Sequence, residues 1–117
     1  MSVHAGRRPV LTDVAALKKE GNAAFKRCDY EEAAACCTAA IDNWMSEAYR
    51  AVLYVNRATT RLKQSGDARA TQALNDAQRA AQLDPMYAKA HFRQGQALRR
   101  LRRRSEAAEA FSAVGTG

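Results

Sequence analysis

Proline and aromatic residues are scarce in this sequence of 117 residues. Only 2 prolines occur, and aromatic residues make up 7% of the chain, whereas hydrophobic residues as a whole make up 47% and include many alanines. Runs of β-branched and aromatic residues that alternate with polar ones are absent, which argues against β-strands. Alanine is the best helix former and lets helices approach each other closely. The composition therefore predicts an all-α protein, and its length fits one domain.

Long apolar runs and paired cysteines are also missing. No apolar stretch approaches the roughly 20 residues that a membrane-spanning helix needs, and the N-terminus lacks the apolar segment of a secretory signal. The cysteines are odd in number and form no C-x-x-C pair, and the adjacent Cys36 and Cys37 would point to different sides of a helix. We therefore expect no disulfide framework, a reducing compartment such as the cytosol or nucleus, and no membrane partner.

Histidine is too sparse to indicate a metal centre or a catalytic pair. His4 lies in the N-terminal segment, His91 is isolated, and no cysteine has a histidine at a matching position. Metal sites and nucleophilic catalysis both depend on such clusters. The sequence therefore predicts no metal, no cofactor and no enzymatic activity.

Acidic residues are outnumbered by basic ones, 12 against 19, so the net charge is +7 and the pI is about 9.8. This excess favours an acidic partner, whether nucleic acid, an anionic membrane or an acidic peptide, and does not choose among them. The run "RRLRRR" (99–104) could contact phosphates. It lies at a predicted helix end, where cations stabilise the helix dipole, and it has no interleaved aromatic residues. Nucleic-acid binding is therefore a minor alternative.

A helix–turn–helix pattern occurs three times along the chain. In the first unit, Leu17, Gly21 and Phe25 share one helix face, "RCDY" (27–30) interrupts the pattern, and Asp29 is placed to cap the next helix. The predicted helices of the later units cover residues 53–64, 71–85, 87–101 and 106–114. Small residues recur at matching positions, which are Gly21, Ala58 and Gly95 in the first helices and Ala33, Ala73 and Ala107 in the second. This regularity indicates an internal repeat of helical hairpins.

The pattern resembles the tetratricopeptide repeat, whose period is about 34 residues. The resemblance implies an all-α fold in which three helix–turn–helix repeats stack as a right-handed superhelical solenoid, with a concave groove lined by the first helices. We expect the repeats at approximately residues 14–45, 48–85 and 87–117 of a domain that covers 11–117. Residues 1–10 are expected to form a flexible basic tail.

Two departures from the family pattern affect packing. Cys37 and Ala77 stand at the second-helix position where the family has an aromatic residue. The pattern also ends without an evident C-terminal capping helix, which would leave Phe111 and Val114 partly uncovered. Either the rest of a longer parent protein or self-association is expected to cover Phe111 and Val114. We favour the longer parent protein.

Five polar residues fall at related positions of the three predicted first helices. Lys18 and Asn22 lie four residues apart and therefore share one face of a helix. Lys89 and Arg93 have the same spacing, and Asn56 belongs to the middle unit. If the first helices lie side by side, three cations and two amides converge. Such a set suits carboxylates, because cations make charge-assisted hydrogen bonds and amides donate to carboxylate or backbone oxygens.

These positions resemble the two-carboxylate clamp of co-chaperone tetratricopeptide domains. The motifs L-K-x-x-G-N, L-Y-x-N-R and K-x-x-x-R are matched by residues 17–22, 53–57 and 89–93. The resemblance implies a non-catalytic, cytoplasmic adaptor that binds the acidic C-terminal Glu-Glu-Val-Asp tail of heat-shock protein 70 or heat-shock protein 90. The side chains expected to contact the peptide further upstream, in a secondary part of the groove, are Phe25, Thr59, Phe92 and Gln96.

Two alternatives use the same architecture differently. A tetratricopeptide scaffold could bind an internal segment or a helix of another protein, with the cations incidental, and an unrelated internal peptide would then bind as well as a free acidic C-terminus. A nucleic-acid-associated protein would instead use the arginine run, so mutation of residues 102–104 would abolish its binding.

Overall fold

Six α-helices form the part of the chain that the computed structural model describes, namely residues 10–42 and 47–115. The helices are α1 (Val10–Lys26), α2 (Tyr30–Asp42), α3 (Glu47–Lys63), α4 (Asp67–Leu83), α5 (Ala88–Arg100) and α6 (Arg104–Gly115). No strand occurs within these described residues, and the predicted all-α fold is confirmed. The predicted tail, residues 1–10, lies outside them except for Val10, which begins α1.

Two helices begin several residues earlier than the apolar pattern predicts. Helix α3 starts at Glu47, because Tyr49 and Ala51 already pack into the core and extend the buried side of the helix. Helix α4 starts at Asp67, directly after Gly66, whose φ of 98° ends the preceding turn. The carboxylate of Asp67 in the first turn also favours a helix start, because it faces the positive end of the helix dipole.

The helices stack in chain order. Each helix packs against the next from α1 to α6, and α3 also packs against α5. We name the pairs α1–α2, α3–α4 and α5–α6 the first, central and third hairpins. The overall extents of 51 × 28 × 23 Å describe an elongated stack, as expected of a solenoid. Among the residues described, no helix has both the length and the apolar character needed to cross a bilayer.

The first and third hairpins contain the same turn. Cys28 and Arg102 both adopt the left-handed conformation, each with a φ of 65°. In each turn the following amide donates to a carbonyl in the last turn of the preceding helix at 2.8 Å, which is the Schellman arrangement. Asp29 then caps α2, since its carboxylate accepts a hydrogen bond from the Glu32 amide at 3.3 Å. The two outer hairpins therefore close in the same way.

Small residues set the distance between paired helices. A Cβ atom added to Gly95 would lie 2.4 Å from the ring of Phe111, so α5 and α6 approach more closely than any side chain on Gly95 would allow. A Cβ atom on Gly21 would lie 3.2 Å from the Cβ atom of Cys36, which is a tight but lesser contact. Ala58, at the matching position of the central hairpin, is completely buried. Alanine-rich packing therefore brings the helices together.

An arginine–carboxylate pair within the central hairpin is also hydrogen-bonded to the first hairpin through its arginine. Arg57 on α3 donates from Nε and Nη2 to the two carboxylate oxygens of Asp76 on α4, at 2.9 and 2.8 Å. Its Nη1 donates to Thr38 Oγ1 on α2 at 2.8 Å. The hydrogen bonds to Asp76 raise the pKa of Arg57, so the guanidinium stays positively charged. Because Asp76 is buried, this pair links α2, α3 and α4 firmly.

Candidate functional site

A cavity of about 190 Å³ lies between α1, α2 and α3. Buried residues of all three helices form its apolar lining, and they are Leu17, Gly21, Ala33, Cys36, Ala40 and Leu53. The exposed Lys18 and Asn22 from α1 and the half-buried Asn56 from α3 supply polar groups at the surface. An apolar interior with a few polar groups beside it is the usual composition of a ligand pocket.

The three polar residues of this cavity come together because α1 and α3 both pack against α2. Leu17 and Leu53 belong to one buried cluster with Ala40, and this cluster fixes the two helices on either side of α2. The Lys18 ammonium lies 5.5 Å from the centroid of the Tyr49 ring, within the range of a cation–π interaction. The cation is thereby held close to the cavity.

A second hollow of about 360 Å³ lies beside the cavity and extends to α5. Its lining residues are Phe25, Thr59, Leu62, Lys63, Arg93 and Gln96. Phe25 and Thr59 line both spaces, so the cavity and the hollow form one continuous depression, which we name the groove. The groove crosses α1, α3 and α5, which are the first helices of the three hairpins.

Arg93 is the cation that the third hairpin contributes to the groove. Its Nη1 donates to Gln96 Oε1 at 2.9 Å, and its guanidinium lies 5.5 Å from the centroid of the Phe92 ring. Its Nε is enclosed and has no hydrogen-bond partner among the residues described.

Two predicted site residues lie outside the lining of the groove. Lys89 is exposed on α5, one turn before Arg93, and lines neither space. Phe92 is 40% exposed and packs against Phe111, with the ring centroids 5.6 Å apart. The structure thus brings seven of the nine predicted residues to the groove, which are Lys18, Asn22, Phe25, Asn56, Thr59, Arg93 and Gln96. The binding roles predicted for all nine residues stay predictions.

The groove also contains residues that the sequence pattern did not single out. Lys63 and Leu62, at the end of α3, line the hollow beside Arg93. Lys63 lies four residues after Thr59 and therefore on the same helix face, a spacing that could have identified it. Cys37, which stands where the family has an aromatic residue, also lines the cavity. These residues add one cation and an apolar surface to the predicted set.

The interior of the cavity carries no charge. Burial raises the pKa of the Cys37 thiol to about 11, despite the opposing effect of nearby Arg57, so the thiol stays protonated at neutral pH. The hydroxyls of Thr59 and Thr60 each donate to a carbonyl of their own helix at 2.9 Å. The charged groups of the groove are therefore the exposed Lys18 and Lys63 and the half-buried Arg93.

The side chains of two of the five arginines in the run form hydrogen bonds within the fold. Arg100 donates to the carbonyl oxygens of Leu62 and Gln64 at the end of α3, both at 2.6 Å. Arg103 forms an ion pair with Glu106 at 2.7 Å. Arginines at a helix C-terminus satisfy carbonyl groups that lack helical partners. These contacts give the run a structural role and weaken the nucleic-acid alternative.

One group of side chains has the composition of a metal site. Ligand atoms of Glu20, Glu32 and Cys36 lie within 4.8 Å of one another, and the Cys36 thiol donates to Glu32 at 3.7 Å. Both glutamates are exposed, and exposed carboxylates commonly gather without an ion. The cluster lies between α1 and α2, and nothing in its geometry points to a bound metal.

Comparisons with known proteins find similar helical domains. No protein-family model matches the chain. Protein unc-45 homolog B of Xenopus laevis is 38% identical over 91 residues, which cover 78% of this chain and 10% of that protein. The second TPR of Spaghetti (RPAP3), solved bound to HSP90 peptide SRMEEVD, is 34% identical with a TM-score of 0.77, over 87% of this chain and 89% of that one. The second TPR domain of human RPAP3, solved in complex with HSP70 peptide SGPTIEEVD, is 33% identical with a TM-score of 0.77. The match covers 91% of this chain and 83% of that one.

The two kinds of match differ in what they cover. The chain spans about a tenth of the length of the unc-45 relative, so that protein's other properties are not carried over. The solved domains, in contrast, are matched along most of their length. The chain belongs to the tetratricopeptide repeat family.

Proposed function

We propose that this domain is a non-catalytic adaptor of the cytoplasm, which binds the acidic C-terminal Glu-Glu-Val-Asp tail of heat-shock protein 70 or heat-shock protein 90 in its groove. The observation that carries the proposal is the placement of Lys18, Asn22 and Asn56 around one cavity, with Arg93 in the adjoining hollow. The relatives solved with HSP90 and HSP70 peptides support a ligand of this kind. Since both tails end alike, the groove does not choose between them.

The chemistry of the groove suits a chain end that carries two carboxylates. A peptide that ends in Asp presents its terminal carboxylate and its side-chain carboxylate close together. Lys18 and Arg93 supply cations, and each charge-assisted hydrogen bond contributes about 1.5–3 kcal/mol. Asn22 and Asn56 supply amides that donate to one oxygen and accept from a peptide N–H, which fixes the direction of the chain.

Lys89 completes the proposed clamp from outside the groove lining. It lies one turn before Arg93 on the same face of α5, and its side chain is long, flexible and exposed. We expect its ammonium to turn towards the peptide once the second carboxylate is present, because an exposed lysine loses little when it changes rotamer. Lys63 adds a positive charge further along the groove, where an upstream glutamate of the tail would lie.

Calorimetric titration with the free-acid peptide SRMEEVD and with its C-terminally amidated form tests the proposal. The free acid should bind at least about tenfold more tightly, because amidation removes one carboxylate and its charge-assisted hydrogen bonds. Lys89→Glu and Arg93→Glu should abolish binding without changing helicity. Arg79→Glu is the matched control, because Arg79 is exposed on α4 and lines neither the cavity nor the hollow. Equal affinities for the free and the amidated peptide would contradict the proposal.

The same titration addresses the alternative scaffold function. A groove built for an internal segment would bind an unrelated internal peptide as well as a free acidic terminus, and its affinity would not depend on the terminal carboxylate. The half-buried Arg93 places a positive charge in the groove, which favours an anionic ligand over a neutral one. Raised salt should weaken the binding that we propose, since exposed charges contribute to it.

A further inference from the structure

A further hollow, of about 350 Å³, continues the groove beyond Lys63 along α3 and α5. Its lining residues are Leu62, Gln96, Arg99 and Arg100, and the first two of these also line the neighbouring hollow of the groove. We name this space the basic extension. Because it shares two lining residues with the groove, a peptide that leaves the groove between α3 and α5 enters the extension next.

Positive charge surrounds the basic extension. Arg99 and Arg100 line it, and the exposed Lys63 lies beside it in the adjoining hollow. No carboxylate belongs to the described lining of either space. Glu31 reaches the end of α3, but it is already ion-paired with Arg69 at 2.8 Å. The described lining therefore leaves the positive charge of the extension uncompensated.

Arg99 is the cation of the extension that a ligand can contact. Its side chain is exposed, and its guanidinium lies 5.7 Å from the centroid of the Phe111 ring, within the range of a cation–π interaction. Arg100, in contrast, already donates to two carbonyl oxygens at the end of α3. Its charge adds to the local field, but those donors are occupied. We therefore expect Arg99 to decide how the extension treats a charged side chain.

The extension lies beyond the reach of the four residues that the two chaperone tails share. Asn56, beside the cavity, and Lys63 are seven residues apart on α3, which is about 10 Å along the helix. An extended peptide covers that distance in about three residues. A tail whose final aspartate is held at Asn56 consequently brings its first shared glutamate to Lys63. The residues that enter the extension are those that precede Glu-Glu-Val-Asp.

The peptides of the solved relatives differ in that upstream part. The sixth residue from the C-terminus is arginine in the HSP90 peptide SRMEEVD and threonine in the HSP70 peptide SGPTIEEVD. An arginine at this position would approach Arg99 with like charge, whereas a threonine would not. A like-charge contact of this kind is an effective way to exclude one of two similar ligands.

We propose that Arg99 is a specificity-determining residue, which makes the basic extension reject a cation at the sixth residue from the C-terminus of the bound tail and favour a neutral or acidic residue there. The inference rests on the proposed function, because the tail must be held by its end for this residue to reach Arg99. The groove, which holds the shared end, leaves the choice open. The extension beyond it makes the HSP70 peptide the preferred ligand of the two.

Three free-acid peptides that differ in one charge test this inference by calorimetric titration. They are SRMEEVD and the same sequence with its arginine replaced by glutamine or by glutamate. The glutamate peptide should bind most tightly and the arginine peptide least, with about tenfold between them at low ionic strength. Added salt should reduce this difference, because exposed charges are screened.

Substitution of Arg99 should change the order of the three peptides. In Arg99→Glu the arginine peptide should bind more tightly than the glutamate peptide, and in Arg99→Gln the difference should shrink. Arg79→Glu changes the net charge equally at an exposed position on α4 that lines neither the groove nor the extension. Its order should stay as in the wild type. Circular dichroism shows whether Arg99→Glu is folded, and Arg99→Gln decides if it is not.

The two natural sequences provide a second readout. Wild type should bind SGPTIEEVD more tightly than SRMEEVD. Because these peptides also differ in length and in apolar residues, the informative quantity is how their affinity ratio changes on mutation. The preference for SGPTIEEVD should fall by about tenfold in Arg99→Glu at low ionic strength and should persist in Arg79→Glu.

The outcomes separate this inference from the function on which it rests. If no free-acid peptide binds, or if amidated peptides bind equally well, the proposed function fails and the inference falls with it. If free-acid peptides bind selectively but the arginine, glutamine and glutamate peptides have equal affinities, the proposed function stands and the inference is overturned. An order that persists in folded Arg99→Glu, or that Arg79→Glu changes to the same extent, would also overturn it.

Discussion

The first and third hairpins have the same turn and different interiors. Both turn through a left-handed residue, Cys28 or Arg102, and both pair their helices at a glycine, Gly21 or Gly95. The third hairpin fills the space beside its glycine with an aromatic ring, while the first leaves a cavity that opens beside Lys18. The comparison shows that turns and small residues set the architecture, whereas the side chain of the second helix decides whether the space beside the glycine is filled or open.

The hairpins also differ in how they attach to the centre of the molecule. The first is joined to it by the buried pair of Arg57 and Asp76, which reaches Thr38 on α2. The third is joined by Arg100, which donates to backbone carbonyls at the end of α3. A buried ion pair depends on both partners, whereas backbone carbonyls can bind water if the arginine is lost.

We expect the largest effect on stability from Asp76→Ala. Loss of this carboxylate leaves the guanidinium of Arg57 without its partner in a mostly buried position, which costs about 3–5 kcal/mol. Urea denaturation followed by circular dichroism measures the change. Glu106→Ala is the matched control, because it removes the carboxylate of the exposed ion pair between Arg103 and Glu106 in the third hairpin. The urea midpoint of this variant should hardly change. Equal shifts for both variants would contradict this account of the pair.

The next effect should come from the position that differs between the hairpins. Phe111→Ala should destabilise the domain by about 3 kcal/mol, because it opens a cavity beside Gly95. Cys37→Ala should cost less than about 1 kcal/mol, because it only enlarges a space that exists already. Thermal melts of the two variants make the comparison directly. If both lost the same stability, the cavity of the first hairpin would not be open in solution.

A smaller difference is expected between the two glycines. Gly95→Ala should destabilise by about 1–3 kcal/mol, since its Cβ atom would overlap the ring of Phe111. Gly21→Ala should be nearly neutral, because the contact with Cys36 is milder and alanine favours the helix by about 1 kcal/mol. Denaturant midpoints of both variants test this order. A reversed order would mean that the first hairpin is the more tightly packed one.

The smallest effect should be shared by the two hairpins. Cys28→Gly and Arg102→Gly should each stabilise by about 1 kcal/mol, because glycine adopts a positive φ without the steric cost that other residues have. A gain in only one of the two hairpins would show that their turns differ in solution. The measurement is the thermal midpoint of each variant against wild type, under reducing conditions.

The sequence pattern located the helical hairpins because periodic apolar residues and small residues carry that information locally. It recognised the turn at residues 27–30 and the cap at Asp29, which depend on neighbours in the chain. It missed the early starts of α3 and α4, because Tyr49 and Ala51 become buried only through contacts between hairpins. Helix boundaries that depend on tertiary packing are not encoded in a local apolar period.

The site was predictable where it follows from helix spacing and a recognisable motif. Lys18, Asn22 and Asn56 fall on first helices at fixed offsets, so their convergence follows once the hairpins stack. The cavity beside Gly21 was not predictable in the same way, although the missing aromatic residue at Cys37 was visible. Whether neighbours close such a gap or leave it open depends on the exact packing of three helices. The position of Lys63 in the groove could likewise be predicted only if it were known which face of α3 packs against α5.

The most direct test of the proposed groove is to map where an acidic chain end binds. Titration of the ¹⁵N-labelled domain with the free-acid peptide SRMEEVD should change the side-chain amide signals of Asn22 and Asn56, together with backbone signals around Arg93. This result would place the ligand across α1, α3 and α5. Changes confined to the separate hollow between α4, α5 and α6, which Gln78 and Gln82 line, would contradict the account.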